Sequence, residues 1–198
     1  MTTAQTLKSK TGVVGATIIL KTGRYFDFLS PQPDMIHIED IAQGLSQTAR
    51  FGGQALNFYS VAQHSVLVSS IVPDELKFAA LMHDAAEAYI GDIVGPLKQL
   101  LPDYKVIESR VEEAVCARFG LQLSDIKHPE IKRADLRLLR TEQRDLTSGA
   151  ADEWNGLSKY PPLEQTIEPL DWLSACSEFL IEFGKLATHP SDEGGRDA

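Results

Sequence analysis

Residues 81–92 read Leu81-Met82-His83-Asp84-Ala85-Ala86-Glu87-Ala88-Tyr89-Ile90-Gly91-Asp92. His83, Asp84, Glu87 and Asp92 place four imidazole or carboxylate groups within ten residues of an otherwise apolar, helix-forming stretch. Charged groups rarely enter a core unless they are paired or hold a metal. A second histidine, His64, lies one helix earlier in a mostly apolar run, and Asp135 lies between Ala134 and Leu136 further on. Imidazole with carboxylate suits a divalent ion such as zinc, iron, cobalt, nickel or manganese. The set His64…His83-Asp84…Asp135 on three helices therefore points to a metal-dependent hydrolase.

The helices around this stretch follow from apolar spacing. Ile38, Ile41, Ala42, Leu45 and Ala49 recur at intervals of three and four, which predicts a helix from Ile38. A second is expected over about 61–71, closed by Pro73. A third starts behind Asp74 as N-cap, with Leu76, Ala79, Ala80, Met82 and Ala86 inward. Gly91, Gly95 and Pro96 mark a loop. Further helices are expected over about 104–119, stopped by Gly120, over about 129–146, and over about 172–186. Residues 148–169 read as a long loop, and the polar tail from Thr188 as disordered.

Upstream, two β-branched or aromatic runs flank Lys21-Thr22-Gly23-Arg24, so a short hairpin is expected over about 16–28. The fold class is all-α, a helical bundle with a small N-terminal β-hairpin, as one domain over 1–198 with its helical core at about 38–186.

Composition narrows the setting. Of 198 residues, 43% are hydrophobic and 24% charged, as in soluble globular proteins. A net charge of −9 repels nucleic acid and anionic membrane, so neither is an expected partner, and a phosphate-bearing substrate needs locally placed cations. The apolar run 12–20 is short, contains two glycines and lacks a cleavage site, so no leader is expected. No run approaches the ~18 apolar residues of a membrane span. Cys116 and Cys176 match no zinc or redox spacing and read as packing residues. The expected location is the cytoplasm.

The ordered set His…His-Asp…Asp resembles the metal site of the HD-domain phosphohydrolase superfamily. The resemblance is to its small bacterial and phage members that act on deoxynucleotides. In that subgroup His-Asp-x-x-Glu is followed by Gly-Asp and Pro-x-Lys, matched here by His83, Asp84, Glu87, Gly91, Asp92, Pro96 and Lys98. Residues 59–65, Tyr-Ser-Val-Ala-Gln-His-Ser, resemble the first ligand motif, although many relatives have Glu where Gln63 stands. The resemblance covers roughly residues 38–146.

It implies an HD-domain fold whose metal ligands are His64, His83, Asp84 and Asp135. It also implies that Glu87 and Asp92 orient or deprotonate the attacking water, or hold a second ion such as magnesium. A divalent ion lowers the pKa of its water, and a neighbouring carboxylate then accepts the proton. Lys98 is the expected phosphate clamp. Arg50-Phe51 occupies the place where the subgroup carries Arg-Trp near the sugar, with Phe replacing Trp. The relatives form dimers or larger oligomers, so a homo-oligomer is expected.

The remaining residues carry less. Arg24 reads as an exposed turn residue. Arg137, Arg140 and Arg144, interleaved with Glu142 and Asp145, read as a charged outer face. Trp154 and Trp172 read as packing residues, and His37, His128 and His189 have no ligand context. The function expected is metal-dependent hydrolysis of a (deoxy)nucleotide, either a 5′-deoxynucleotidase or a deoxynucleoside triphosphate triphosphohydrolase. The alternatives are hydrolysis of a signalling nucleotide such as a guanosine polyphosphate, or a non-catalytic, metal-stabilised nucleotide-binding module. The absence of a Gly-Tyr-Pro triplet after His83-Asp84 disfavours a cyclic dinucleotide phosphodiesterase.

Overall fold

The computed structural model describes residues 15–149, 154 and 156–187. The expected disordered tail and His189 lie outside them. The described residues are mostly helical, with one two-stranded antiparallel sheet. Strands β1 (Thr17–Ile19) and β2 (Tyr25–Asp27) pair Ile18 with Phe26, as the two β-branched and aromatic runs predict. The hairpin is fastened at two points. Its turn is held by Asp40, whose two carboxylate oxygens accept the Thr22 backbone N–H at 3.0 Å and the Thr22 hydroxyl at 2.8 Å. Phe26 is fully buried and stacks on Tyr89 at 4.3 Å between centroids.

Helices α1 (Ile38–Gln47), α2 (Val61–Ser70), α3 (Lys77–Met82) and α9 (Trp172–Ala187) pack into the first apolar cluster, and α1 also lies against α4 (Glu87–Ile90). Gly44 permits that last approach: a Cβ there would lie 2.6 Å from the Ala88 carbonyl oxygen. Two short helices, α5 (Gly95–Lys98) and α7 (Leu123–Ile126), flank α6 (Pro102–Phe119), which ends at Gly120 in the left-handed conformation. Helix α8 (Pro129–Leu146) closes the second cluster through Ile131, Ala134, Leu138 and Leu146. His128 has a local role, its Nδ1 accepting the Glu130 N–H at the start of α8.

Two expectations need correction. The third helix is not continuous from Asp74 to Ala86. Residues Asp74–Leu76 form a 3-10 turn behind Pro73, α3 stops at Met82, and α4 begins at Glu87. Between them the backbone winds with i→i−3 bonds, Ala85 N–H to Met82 O at 3.0 Å and Glu87 N–H to Asp84 O at 2.9 Å. Such tight winding is poorer in hydrogen-bond geometry and often marks functional segments.

Second, residues 95–98 are helical, where a loop was expected. The loop expected after α8 is irregular in its described residues apart from the 3-10 turn Leu157–Lys159, and it is anchored as a strap. Leu157, Leu163 and Ile167 are buried. The Arg144 guanidinium donates to the Leu163 and Gln165 carbonyls, and Asp145 accepts the Ile167 N–H. Gln63 spans from α2 to the same strap, donating to Glu168 O at 2.8 Å and accepting from Leu170 N–H at 2.9 Å. No helix among the described residues is long and apolar enough to cross a membrane.

Candidate metal centre

Three elements bring the candidate ligands together. Ser60 caps α2 by accepting the Gln63 N–H, which sets the first turn of the helix that carries His64. The tight turn after α3 presents His83 and Asp84, and α8 presents Asp135 and, two turns later, Glu142. Because that turn winds with about three residues per turn, Asp84 and Glu87 fall on one line. Among the described residues, His64, His83 and Asp84 offer ligand atoms that all lie within 4.8 Å of one another.

The protonation of both rings follows from their partners. His83 Nδ1 lies 2.7 Å from the Ala80 carbonyl oxygen, which can only accept, so Nδ1 donates. His64 Nδ1 lies 2.6 Å from Glu142 Oε1 and donates to that carboxylate. Each ring thereby leaves its Nε2 turned inward, and neither Nε2 makes a hydrogen bond although both are buried. His83 Nε2 is 3.2 Å from Asp84 Oδ2, and His64 Nε2 is 3.6 Å from the same oxygen. A histidine bound to metal through one nitrogen usually gives its other N–H to a carboxylate or carbonyl. Both rings here are arranged that way. The donor set therefore fits a divalent cation.

Asp135 stands beside this group. Its Oδ1 is 3.5 Å from His64 Nε2, while its Oδ2 accepts from Lys132 at 2.7 Å. Glu87 is almost fully buried; its Oε1 lies 3.8 Å from the Lys98 ammonium and its Oε2 has no hydrogen-bond partner. Asp92 follows Gly91, whose positive φ and extended ψ suit glycine alone. Lys98 donates to Glu108 at 2.7 Å, so the expected phosphate clamp rests on carboxylates of α4 and α6.

Arg50 and Phe51 sit at the start of a 3-10 turn, placed by an antiparallel bridge between Ala49 and Ser60. Phe51 holds φ 57°, a conformation uncommon outside glycine, and meets Trp154 edge-on at 6.2 Å. Arg50 donates to Glu142 at 2.9 Å and approaches Asp84 at 3.9 Å.

The charges respond to this crowding. Burial and Arg50 lower the His64 pKa, but Glu142 and Asp135 outweigh them and raise it to about 9. Burial, then Asp84 and Asp92, hold Glu87 well above the ordinary carboxylate range. Burial likewise raises Asp92. Asp84 is driven the other way: burial opposes its ionisation, yet His83 and His64 overcome it. Histidine and carboxyl groups that retain protons in a buried, acidic seam mark a place where a cation is welcome.

Glu142, which its charged neighbours on α8 mark as part of an outer face, is instead fully buried behind His64. The available signal was its spacing of seven from Asp135, which puts both on one face of a helix.

The geometry thus defines a mostly helical protein with a candidate divalent-cation site. No family model matches the chain. It is 42% identical over 167 residues to the uncharacterized protein YfdR of Escherichia coli strain K12, a match covering 84% of this chain and 93% of that protein. It is 38% identical over 138 residues to an uncharacterized protein of Rhodobacter capsulatus, covering 63% of this chain and 70% of that protein. The chain belongs to the same family as YfdR.

Proposed function

We propose that the chain is a metal-dependent phosphohydrolase of the HD-domain type that acts on nucleotides, deoxynucleotides foremost. One observation carries the reading: two histidines, His64 buried and His83 partly so, hold their Nδ1 protons on fixed acceptors and leave both Nε2 atoms facing the Asp84 carboxylate. His64, His83 and Asp84 would hold the ion, with Asp135 able to complete the set. When bound, a divalent ion supplies Lewis acidity and brings the pKa of a nearby water towards neutrality.

The chain's own groups account for the rest. Glu87, one oxygen unpaired and aligned with Asp84, orients the attacking water and accepts its proton. Asp92 assists from the other side of the Gly91 turn. Lys98 stands 3.8 Å from Glu87 and offers the cation that a phosphate needs in a chain of net charge −9. Exchanging Glu108 for phosphate oxygens would keep that ammonium paired. Arg50 adds positive charge beside Asp84, and the Phe51–Trp154 pair offers an aromatic surface for sugar or base.

The test is release of phosphate or longer polyphosphate from a panel of nucleotides and deoxynucleotides with manganese, cobalt or magnesium, beside Asp84→Ala. Metal-dependent turnover lost in the variant supports the reading, and the product distinguishes a nucleotidase from a triphosphohydrolase. Metal binding without turnover on any nucleotide contradicts it and leaves a metal-stabilised binding module.

A further inference from the structure

Glu142 has no task in the reaction just described, yet its burial is complete. An ionised carboxylate is tolerated in an interior only when paired, and Glu142 is paired twice. Oε1 accepts from His64 Nδ1 at 2.6 Å, and Oε2 accepts from Arg50 at 2.9 Å. Three carboxylates surround the one imidazole of His64. Asp135 Oδ1 at 3.5 Å and Asp84 Oδ2 at 3.6 Å face Nε2, and each would accept a proton placed there. A proton on Nε2 would remove the lone pair on which ligation depends. In the neutral ring the short contact from Glu142 decides which nitrogen keeps its proton, giving Nδ1 the stronger, charge-assisted bond and leaving the Nε2 lone pair for an ion. It also bars a flip of the ring, since a flip would turn a carbon towards the carboxylate.

Arg50 links the two sides of the ring. One of its terminal nitrogens holds Glu142, and the other lies 3.9 Å from Asp84, so its charge is shared between the carboxylate behind His64 and the one in front.

Building on the metal reading above, we infer that Glu142 is a positioning residue that fixes His64 with Nε2 free for the ion, and that Arg50 anchors it. The sugar contact expected of Arg50 is then secondary to this structural commitment.

The experiment measures zinc and manganese affinity by calorimetry for the full chain, Glu142→Gln and Glu142→Asp. Thermal unfolding is followed alongside, with the Nδ1–H proton resonance of His64 in the zinc-loaded protein. Loss of an outer partner of a ligating histidine typically weakens affinity about 10–100-fold. Glu142→Gln is expected to fall in that range, with its Nδ1–H resonance moving upfield as the charged acceptor disappears. Glu142→Asp, which keeps the charge, is expected to recover part of the affinity. Affinities within twofold of the unaltered chain in both variants overturn the inference, even if unfolding temperatures drop, because Glu142 would then be structural only. If the unaltered chain binds neither ion, the metal reading itself fails and the inference falls with it.

Discussion

Asp40 and Glu87 are both carboxylates in helices, and both are nearly inaccessible, at 4% and 8% exposure. Their surroundings differ. Asp40 gives both oxygens to one residue, Thr22, and so fastens the β-hairpin to α1. Glu87 has one oxygen 3.8 Å from Lys98 and the other unpaired, with the Asp84 and Asp92 carboxylates close enough to raise its pKa. A buried acid whose hydrogen bonds are complete belongs to the architecture. A buried acid left wanting, among other unsatisfied groups, belongs to a site. The distinction lies in satisfaction rather than depth.

Substitutions should separate the two regions. The largest effect is expected at Asp84, where Ala removes the carboxylate that faces both histidines: divalent-ion binding and metal-dependent turnover should disappear, read by calorimetry and product release. Glu87→Gln should keep the ion and lower turnover by about 10²–10⁴-fold, the range for loss of a general base. Unchanged turnover in that variant would remove Glu87 from the reaction.

Asp40→Ala should do the reverse. It deletes two hydrogen bonds, lowering stability by about 1–3 kcal/mol in denaturant unfolding while leaving metal affinity unchanged. A matching drop in metal affinity would show that the two regions are not independent. Smallest of all should be Ile19→Lys on the exposed face of the hairpin, within about 0.5 kcal/mol of the parent.

pH should separate them too. His64 is raised from the ordinary 6.5 to about 9, so the folded, metal-free protein holds a proton that the unfolded chain has lost. That stabilisation is complete below pH 6.5 and disappears as pH rises through about 9. Glu87, raised above the ordinary carboxylate value, acts with the same sign from lower pH upward. After chelation, the unfolding temperature is therefore expected to fall between pH 6.5 and 9. With ion bound, the proton on His64 is displaced, so affinity is expected to rise over the same interval.

Much of this was legible in the sequence. The hairpin followed from two β-branched or aromatic runs around a glycine turn. The core helices followed from their apolar intervals, and the grouping of His64, His83 and Asp84 followed from residue chemistry. The tight turn after Met82 did not, because Ala-Ala-Glu-Ala is strongly helix-forming and local propensity favours an unbroken helix. Tertiary packing decided otherwise, with Gly44 admitting Ala88 against α1.

Glu142 was hidden for a different reason. Arg140, Arg144 and Asp145 surround it in sequence and suggest an outer face, whereas the partners that justify its burial, His64 and Arg50, lie 78 and 92 residues away.

The central claim is that the unpaired Nε2 atoms and Asp84 form one cation site. The most direct measurement is titration of the chelator-treated chain with a divalent ion by calorimetry, beside His83→Ala and Asp84→Ala. The account predicts saturable binding to the unaltered chain and none at the same concentrations in either variant. Equal binding by all three, or none by the unaltered chain, would contradict it.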